Sequence, residues 1–189
     1  MPPEYMPLIV LAVPVLLALV WFIATYNRFV SLRNHCTEAW SNIDTELKRR
    51  YELIPNLVAT VKGYAAHERG VLEEVTRLRA ACAQNNGPVG EQAVSERALV
   101  AALGKVFVLA ERYPELKASS NFLALQEELT NTEDRLQAAR RFFNGNVREN
   151  NNLVESFPTN LVAGMFGFRQ RDFFEVEAAF QRETPRVQL

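Results

Sequence analysis

An uncharged apolar segment near the N-terminus constrains this chain more than any other feature of its sequence. Residues 5–27 contain no charged side chain, and about 23 helical residues can cross a hydrocarbon core that is ~30 Å thick. Tyr5, Trp21 and Tyr26 lie near the two ends of the segment, where amphipathic aromatic rings favour the headgroup layer. The segment therefore predicts a transmembrane helix, in which Pro14 is tolerated.

The residues on either side of this segment predict a retained anchor and its orientation. Residues 1–4 (MPPE) lack the basic start of a signal peptide, and residues 22–25 (FIAT) lack a small-x-small cleavage site. Arg28 and Arg33 follow the segment, whereas only Glu4 carries a side-chain charge before it. By the positive-inside rule, we expect the C-terminal domain to lie in the cytoplasm.

The rest of the chain has the apolar period of helices, and no stretch alternates as a strand would. The first series, with a spacing of roughly 3.6 residues, is Leu32, Cys36, Trp40, Ile43, Leu47, Tyr51, Ile54, Val58, Val61, Ala65, Leu72, Val75, Leu78 and Cys82. The second series, with a spacing of roughly 3.5 residues as in a bundle seam, is Phe122, Leu125, Leu129, Thr132, Leu136, Ala139, Phe143, Val147, Asn150, Val154 and Phe157. We therefore predict an all-α protein.

Helix-breaking residues divide these series. Residues 84–90 (QNNGPVG) predict a loop. Pro114 predicts the end of one helix, and Ser119 or Ser120 can serve as the N-cap of the next. Pro158 predicts the end of that helix.

Pro55 leaves two arrangements open, because its missing N–H suits either the first turn of a new helix or a kink in a continuing one. We favour a reversal there, since it gives helices of similar length, as an up-and-down bundle requires. The predicted fold is one N-terminal transmembrane helix followed by an antiparallel four-helix bundle. Its segments are residues 1–27, the anchor; residues 28–157, the bundle; and residues 158–189, a phenylalanine-rich tail.

Histidines lack the spacing that a metal site on helices requires. His67 and the glutamate after it begin like the H-E-x-x-H motif, but Val71 stands where the second histidine belongs. Leu32 and Tyr64 stand three residues before His35 and His67, so neither histidine completes the Glu-x-x-His pair of a di-iron bundle. Phosphate-binding and nucleophile motifs are missing as well. We predict no enzymatic activity, no catalytic residue, no cofactor and no metal.

The charged residues predict solvated helix faces. The chain has 21 basic and 22 acidic side chains, and this balance gives no general attraction to nucleic acid. We interpret the acidic pairs at residues 127–128 and 133–134, and the basic run at residues 48–50, as exposed to solvent. Cys36 and Cys82 are far apart in sequence, so a disulfide framework is not expected.

Phenylalanines crowd the C-terminal part of the chain. The candidates for assembly or membrane contact are Phe157, Phe166, Phe168, Phe173 and Phe174. Such rings can cap the bundle, join subunits or lie in the membrane interface. A reversal at Pro55 would return this segment toward the bilayer, whereas one continuous helix would direct it into the cytoplasm.

Several stretches of the sequence resemble the LemA family. The most specific is residues 47–58 (LKRRYELIPNLV), and the match resumes at residues 113–118 (YPELKA). Near the C-terminus it includes residues 157–158 (FP), 166–168 (FGF) and 173–174 (FF). With scattered positions between them, these stretches cover nearly the whole chain.

The resemblance implies a single-pass protein of the bacterial inner membrane with a four-helix, largely cytoplasmic domain and no established catalytic activity. It identifies no functional residues. We therefore expect a scaffold or interaction protein whose partners are the lipid bilayer and further copies of itself. The alternative is a regulatory adaptor of a membrane protease or of an envelope-stress system.

Overall fold

The described chain is built from helices. The computed structural model describes residues 6–175, with side chains from residue 12 onward. Within this range the regular structure is entirely α-helical, and no strand is present. The helices are α1 (Met6–Tyr64), α2 (Arg69–Gln84), α3 (Val89–Ala110), α4 (Pro114–Lys117), α5 (Ser120–Glu155) and α6 (Thr159–Phe166). This confirms the prediction of an all-α protein.

Helix α1 begins in the apolar segment, and its N-terminal part is long and apolar enough to cross a membrane. Only 17% of its most apolar window is buried within the protein, and Val15, Leu16 and Leu17 are all exposed. A core helix of a soluble protein would bury most of such a stretch. The length, composition and exposure of this part agree with the predicted membrane span.

The chain divides into two compact units, and α1 and α5 contribute residues to both. Among the described residues, unit 1 contains 6–39 and 143–171, and unit 2 contains 40–142 and 172–175. The core of unit 1 includes Phe29, Leu32, Leu153, Val162 and Ala163. The largest apolar side chains buried in unit 2 include Ile43, Ile54, Leu57, Leu99, Leu116 and Leu136.

The apolar periods of the sequence coincide with burial. In the first series only Trp40, Val58 and Leu78 are half-buried, and the other members are buried. In the second series, every position before Phe157 is buried or half-buried. The predicted seam of α5 is therefore covered within the chain itself.

The preferred reversal at Pro55 is wrong, because α1 continues without interruption to Tyr64. Pro55 has no N–H to donate to the carbonyl of Tyr51, four residues earlier. Arg79 of α2 supplies the missing donor, since its Nε lies 3.0 Å from that carbonyl oxygen. Pro55 is itself exposed. Helix α1 therefore accommodates Pro55 because a side chain of α2 donates the hydrogen bond that the proline cannot.

The first break after the anchor lies instead at residues 65–68, between α1 and α2. The turn is hydrogen-bonded, because the N–H of Glu68 donates to the carbonyl of Ala65 at 3.1 Å. The loop predicted at residues 84–90 is present but shorter, because only residues 85–88 lie outside helices. Helix α5 begins at Ser120, as predicted. The short helices α4 and α6 were not predicted.

We expect the Arg79 hydrogen bond to matter only because Pro55 is present. Arg79→Met should lower the free energy of unfolding by about 1 kcal/mol, since it leaves the Tyr51 carbonyl without a donor. In a Pro55→Ala background, the alanine N–H can serve that carbonyl, and the same change should cost clearly less. The measurement is urea unfolding of the full chain in mild detergent, followed by circular dichroism.

Arg77→Met is the matched control, because Arg77 is an exposed arginine on the same helix. Its replacement should leave the unfolding midpoint within experimental scatter in both backgrounds. An equal loss for Arg79→Met with and without Pro55 would contradict the assignment of this hydrogen bond.

Candidate functional site

The five candidate phenylalanines occupy different environments. Phe157 is 79% exposed and Phe166 is 49% exposed. Phe168 and Phe173 are half-buried, whereas Phe174 is fully buried and packs edge-on against Trp40 at 5.4 Å between ring centroids. Phe174 therefore belongs to the core of unit 2. Phe157 and Phe166 present most of the remaining aromatic surface.

Helix α6 is held in unit 1 by its inner face. Val162 and Ala163 are almost fully buried, and they pack in one cluster with Phe29, Leu32 and Leu153. The first two residues lie on α6, the next two on α1, and the last on α5. The position of α6 is therefore fixed by apolar contacts with both long helices.

Gly167 ends α6 and turns the chain so that the next ring meets α1. Its φ of 71° is left-handed, a conformation that glycine adopts without steric cost. The N–H of Phe168 then donates to the carbonyl of Ala163 at 3.0 Å. The Phe168 ring stacks on Phe29, with 4.6 Å between centroids and 10° between the ring planes.

Two asparagines of α5 hold the extended segment that follows. Asn150 is buried, and its side-chain N–H donates to the carbonyl of Arg169 at 3.0 Å. Asn151 donates to the carbonyl of Arg171 and accepts from its N–H, each at 2.9 Å. Asn150 interrupts the apolar seam of α5, and these bonds explain why a buried amide is stable there.

Phe166 connects α6 to the end of the predicted span. Its ring centroid lies 4.7 Å from that of Tyr26 and 5.8 Å from that of Phe22. Both partners belong to the predicted anchor, residues 1–27. The candidate contact surface therefore lies beside the C-terminal end of the apolar part of α1. The expectation that a helix continuing past Pro55 would direct this segment away from the predicted span is wrong, because α5 returns to α1 within unit 1, where Leu153 packs with Phe29.

The outer face of α6 is apolar and uncovered. Leu161 is 58% exposed and Met165, one helical turn later, is 71% exposed. Together with Phe157 and Phe166 they form a surface that we call the tail patch. Residues 156–168 around it contain no charged side chain. A contiguous apolar surface of this kind typically marks contact with protein or lipid.

A second feature, the Arg50 cluster, is a buried set of polar side chains in unit 2. Arg50 of α1 is 1% exposed and forms an ion pair with Glu96 of α3, which is 2% exposed. Arg50 Nη1 also lies 3.0 Å from Oε2 of Glu133 on α5. The Tyr51 hydroxyl and the Cys82 thiol of α2 both hydrogen-bond to Glu96. Four helices thus meet at one carboxylate and one guanidinium.

The Arg50 cluster raises the pKa of the thiol and of the phenol hydroxyl that it contains. Burial and the adjacent Glu96 carboxylate raise the pKa of Cys82 to about 12. The same two causes raise the pKa of Tyr51 well above its ordinary value. In unit 1, burial raises the pKa of Cys36. Because the thiolate is the nucleophile and the metal ligand, these shifts disfavour the reactive form of both cysteines.

The cluster corrects two predictions about charged residues. In the basic run, Lys48 and Arg49 are exposed as predicted, but Arg50 is buried. In the acidic pair, Asp134 is exposed, but Glu133 is half-buried and paired with Arg50. The acidic pair at residues 127–128 is exposed as predicted.

Sequence reasoning missed Glu96 altogether. It lies between the buried residues Ala93 and Leu99 on α3, at a spacing of three on each side. Arg50 lies between the buried residues Leu47 and Ile54 on α1, at spacings of three and four. A charged residue in step with an apolar series is therefore the signal that could have identified both.

No group of three His, Cys, Asp or Glu side chains among the described residues could hold a metal ion, and His35 and His67 are both exposed. A groove of about 480 Å³ in unit 2 is lined by Tyr51 and Cys82 among other side chains. Burial and the adjacent Glu96 carboxylate raise the pKa of both groups, which disfavours their ionised, nucleophilic forms.

Comparison with known proteins identifies a family and several relatives. The family model described as the LemA family matches residues 39–189. Magnetosome protein MamQ of Magnetospirillum gryphiswaldense is 26% identical over 95% of this chain and 75% of its own length. Magnetosome protein MamQ 2 of Paramagnetospirillum magneticum is 26% identical over 96% of this chain and 76% of its own. Protein LemA of Metamycoplasma hominis is 24% identical over 89% and 74%, respectively.

We expect the Arg50 cluster to stabilise the fold only as a complete set. Arg50→Met should lower the free energy of unfolding by about 3–5 kcal/mol, because Glu96 then remains buried without its cation. Adding Glu96→Gln removes that charge while keeping an acceptor for the Tyr51 hydroxyl. The double variant should therefore be more stable than Arg50→Met alone. Urea unfolding of the four proteins in detergent measures the cycle.

Arg49→Met is the control, because Arg49 is the exposed neighbour of Arg50 on the same helix. It should change the free energy of unfolding by less than about 0.5 kcal/mol. If the losses of the two single variants simply add in the double variant, the coupling between Arg50 and Glu96 is refuted.

Proposed function

The chain belongs to the LemA family, and from that premise we propose that it is a single-pass protein of the bacterial inner membrane whose helical domain is a self-assembling scaffold. Its family and its apolar N-terminal helix indicate a membrane-associated helical protein. The finer proposal rests on three features: the retention of the anchor, the arrangement of the helices, and an unpartnered face of α3.

Contacts within unit 1 support an anchor that stays attached. Phe22 and Tyr26 lie in the predicted span, yet both rings pack against Phe166. Thr25 between them is buried as well. Removal of the segment would strip these contacts from the folded unit. A retained span therefore agrees with the packing better than a cleaved leader does.

Polar contacts within unit 2 support an antiparallel four-helix bundle. Between α2 and α3, Glu74 pairs with Lys105, and Asn85 donates to Ser95. The earlier residue on one helix thus meets the later residue on the other, as antiparallel neighbours require. Between α1 and α5, Glu46 pairs with Arg135, and Arg50 pairs with Glu133. The order of the partners is again reversed.

Self-assembly is supported chiefly by the outer face of α3. The inner side of this helix is buried, yet Val94 and Val108 are 62 and 61% exposed on the other side. Ala101 and Gly104 lie between them and are also exposed. Lys105 also lies on this side, where it is paired with Glu74 of α2. An exposed and mainly apolar helix face is normally covered, and small residues allow another helix to approach closely.

A second copy of the same chain is the partner that we propose for this face. Two copies of one apolar face are self-complementary, and symmetric dimers use such isologous contacts most often. Arg97, which lies within the face, donates to the backbone carbonyl of Glu175. Its charge is thereby turned toward its own chain. The seam of α5 does not contribute, because it is covered within the fold.

The oligomeric state in lipid tests this proposal. Native mass spectrometry of the full chain in nanodiscs, at micromolar concentration, should show an oligomer. Ala101→Glu and Val108→Glu should each shift it toward monomer, because a carboxylate in an apolar contact is costly. Leu123→Glu, at an exposed leucine of α5, is the matched control and should leave the assembly intact. A monomer throughout would overturn self-assembly.

The orientation proposal has its own test. Because Arg28 and Arg33 follow the span, the helical domain should lie on the cytoplasmic side. An Ala66→Cys variant places a thiol at an exposed position, while Cys36 and Cys82 are buried. An impermeant maleimide should label it in lysed but not in intact spheroplasts. Labelling before lysis would place the domain on the opposite side.

A further inference from the structure

The tail patch has the composition of a surface that contacts lipid. Leu161 and Met165 point away from the packed side of α6, on which Val162 and Ala163 are buried. The helix is therefore apolar on both sides, although only one side contacts the rest of unit 1. Phe157, directly before α6, is 79% exposed. Exposure of this apolar surface to water is energetically unfavourable.

The position of the patch suggests what covers it. Phe166 is in ring contact with Phe22 and Tyr26, at the end of the apolar part of α1. Tyrosine at the end of a span favours the headgroup layer. If α1 crosses a bilayer, the same contacts place α6 at the depth of the headgroups.

The charges around the patch agree with this environment. The uncharged stretch 156–168 is followed by Arg169, which is exposed, and by Arg171. Arg28 of α1 is also largely exposed and pairs with Glu149 at 2.8 Å. Glu155 accepts a hydrogen bond from Gln170. Glu149 and Glu155 are thus engaged within the protein, whereas Arg169 is exposed directly after the uncharged stretch, where it can contact lipid phosphates.

We propose that α6 and Phe157 lie in the headgroup layer of the membrane that α1 crosses, as an interfacial helix fixed beside the anchor. The inference rests on the proposed membrane span but not on self-assembly. The bilayer is favoured over a second copy because the anchor holds the patch next to lipid at all times. Interfacial helices bury Leu, Met and Phe side chains in the same layer.

Spin-label accessibility of the full chain in lipid vesicles distinguishes the occupants of the patch. Nitroxides are attached to Leu161→Cys and Met165→Cys variants in phosphatidylethanolamine and phosphatidylglycerol vesicles. We expect both labels to collide with oxygen, which concentrates in lipid, several times more readily than with a water-soluble nickel chelate. Leu123→Cys, at an exposed leucine of α5, is the control and should show the opposite preference.

Two results would overturn the inference. Labels that collide with the nickel chelate as readily as the control would place the patch in water. Labels shielded from both reagents would place it against protein, such as a second copy. Native mass spectrometry of the same labelled variants reports self-assembly separately. The interfacial helix and the scaffold proposal can therefore fail independently.

Discussion

Burial of a guanidinium group is the constraint around which unit 2 is organised. A charge removed from water destabilises a protein by several kcal/mol unless it is paired and hydrogen-bonded. Arg50 meets this requirement with carboxylates from α3 and α5, while Cys82 of α2 binds the same Glu96 carboxylate. A rotation of any of these helices would leave a polar group unpaired. Apolar packing alone tolerates small rotations of the helices better. The polar contacts of the cluster therefore fix the alignment of the four helices more closely than apolar burial would.

Helix periodicity explains how much of the fold the sequence could predict. The apolar series continued in step across Pro55, through Tyr51, Ile54 and Val58, and a chain reversal would have interrupted that step. The periodic signal was therefore right, and the preference for equal helix lengths was wrong. The sequence could not identify the group that donates to the Tyr51 carbonyl, which lacks its usual donor because residue 55 is proline. Arg79 is distant in sequence, and only tertiary structure shows that it replaces the proline N–H.

The candidate contact surface was predicted in composition but not in detail. Phenylalanines 157, 166, 168, 173 and 174 looked alike in the sequence, yet Phe174 is part of a core and Phe157 is mostly exposed. The left-handed backbone of Gly167 precedes Phe168, which stacks on Phe29, and Phe174 packs against Trp40. The inner position of Glu133 was likewise hidden, because its exposed neighbour Asp134 made the pair look solvated. Local composition does not determine such choices between adjacent residues.

Unit 1 is assembled from two distant parts of the chain, residues 6–39 and 143–171. During synthesis α1 emerges first, and Phe29, Leu32 and Cys36 lack their partners from residues 143–171 until more than a hundred further residues have been made. Throughout that interval their apolar face is a target for chaperones and for quality-control proteases. A chain released before residue 143 would expose this face permanently. The folding of unit 1 therefore depends on synthesis of the chain as far as residue 171.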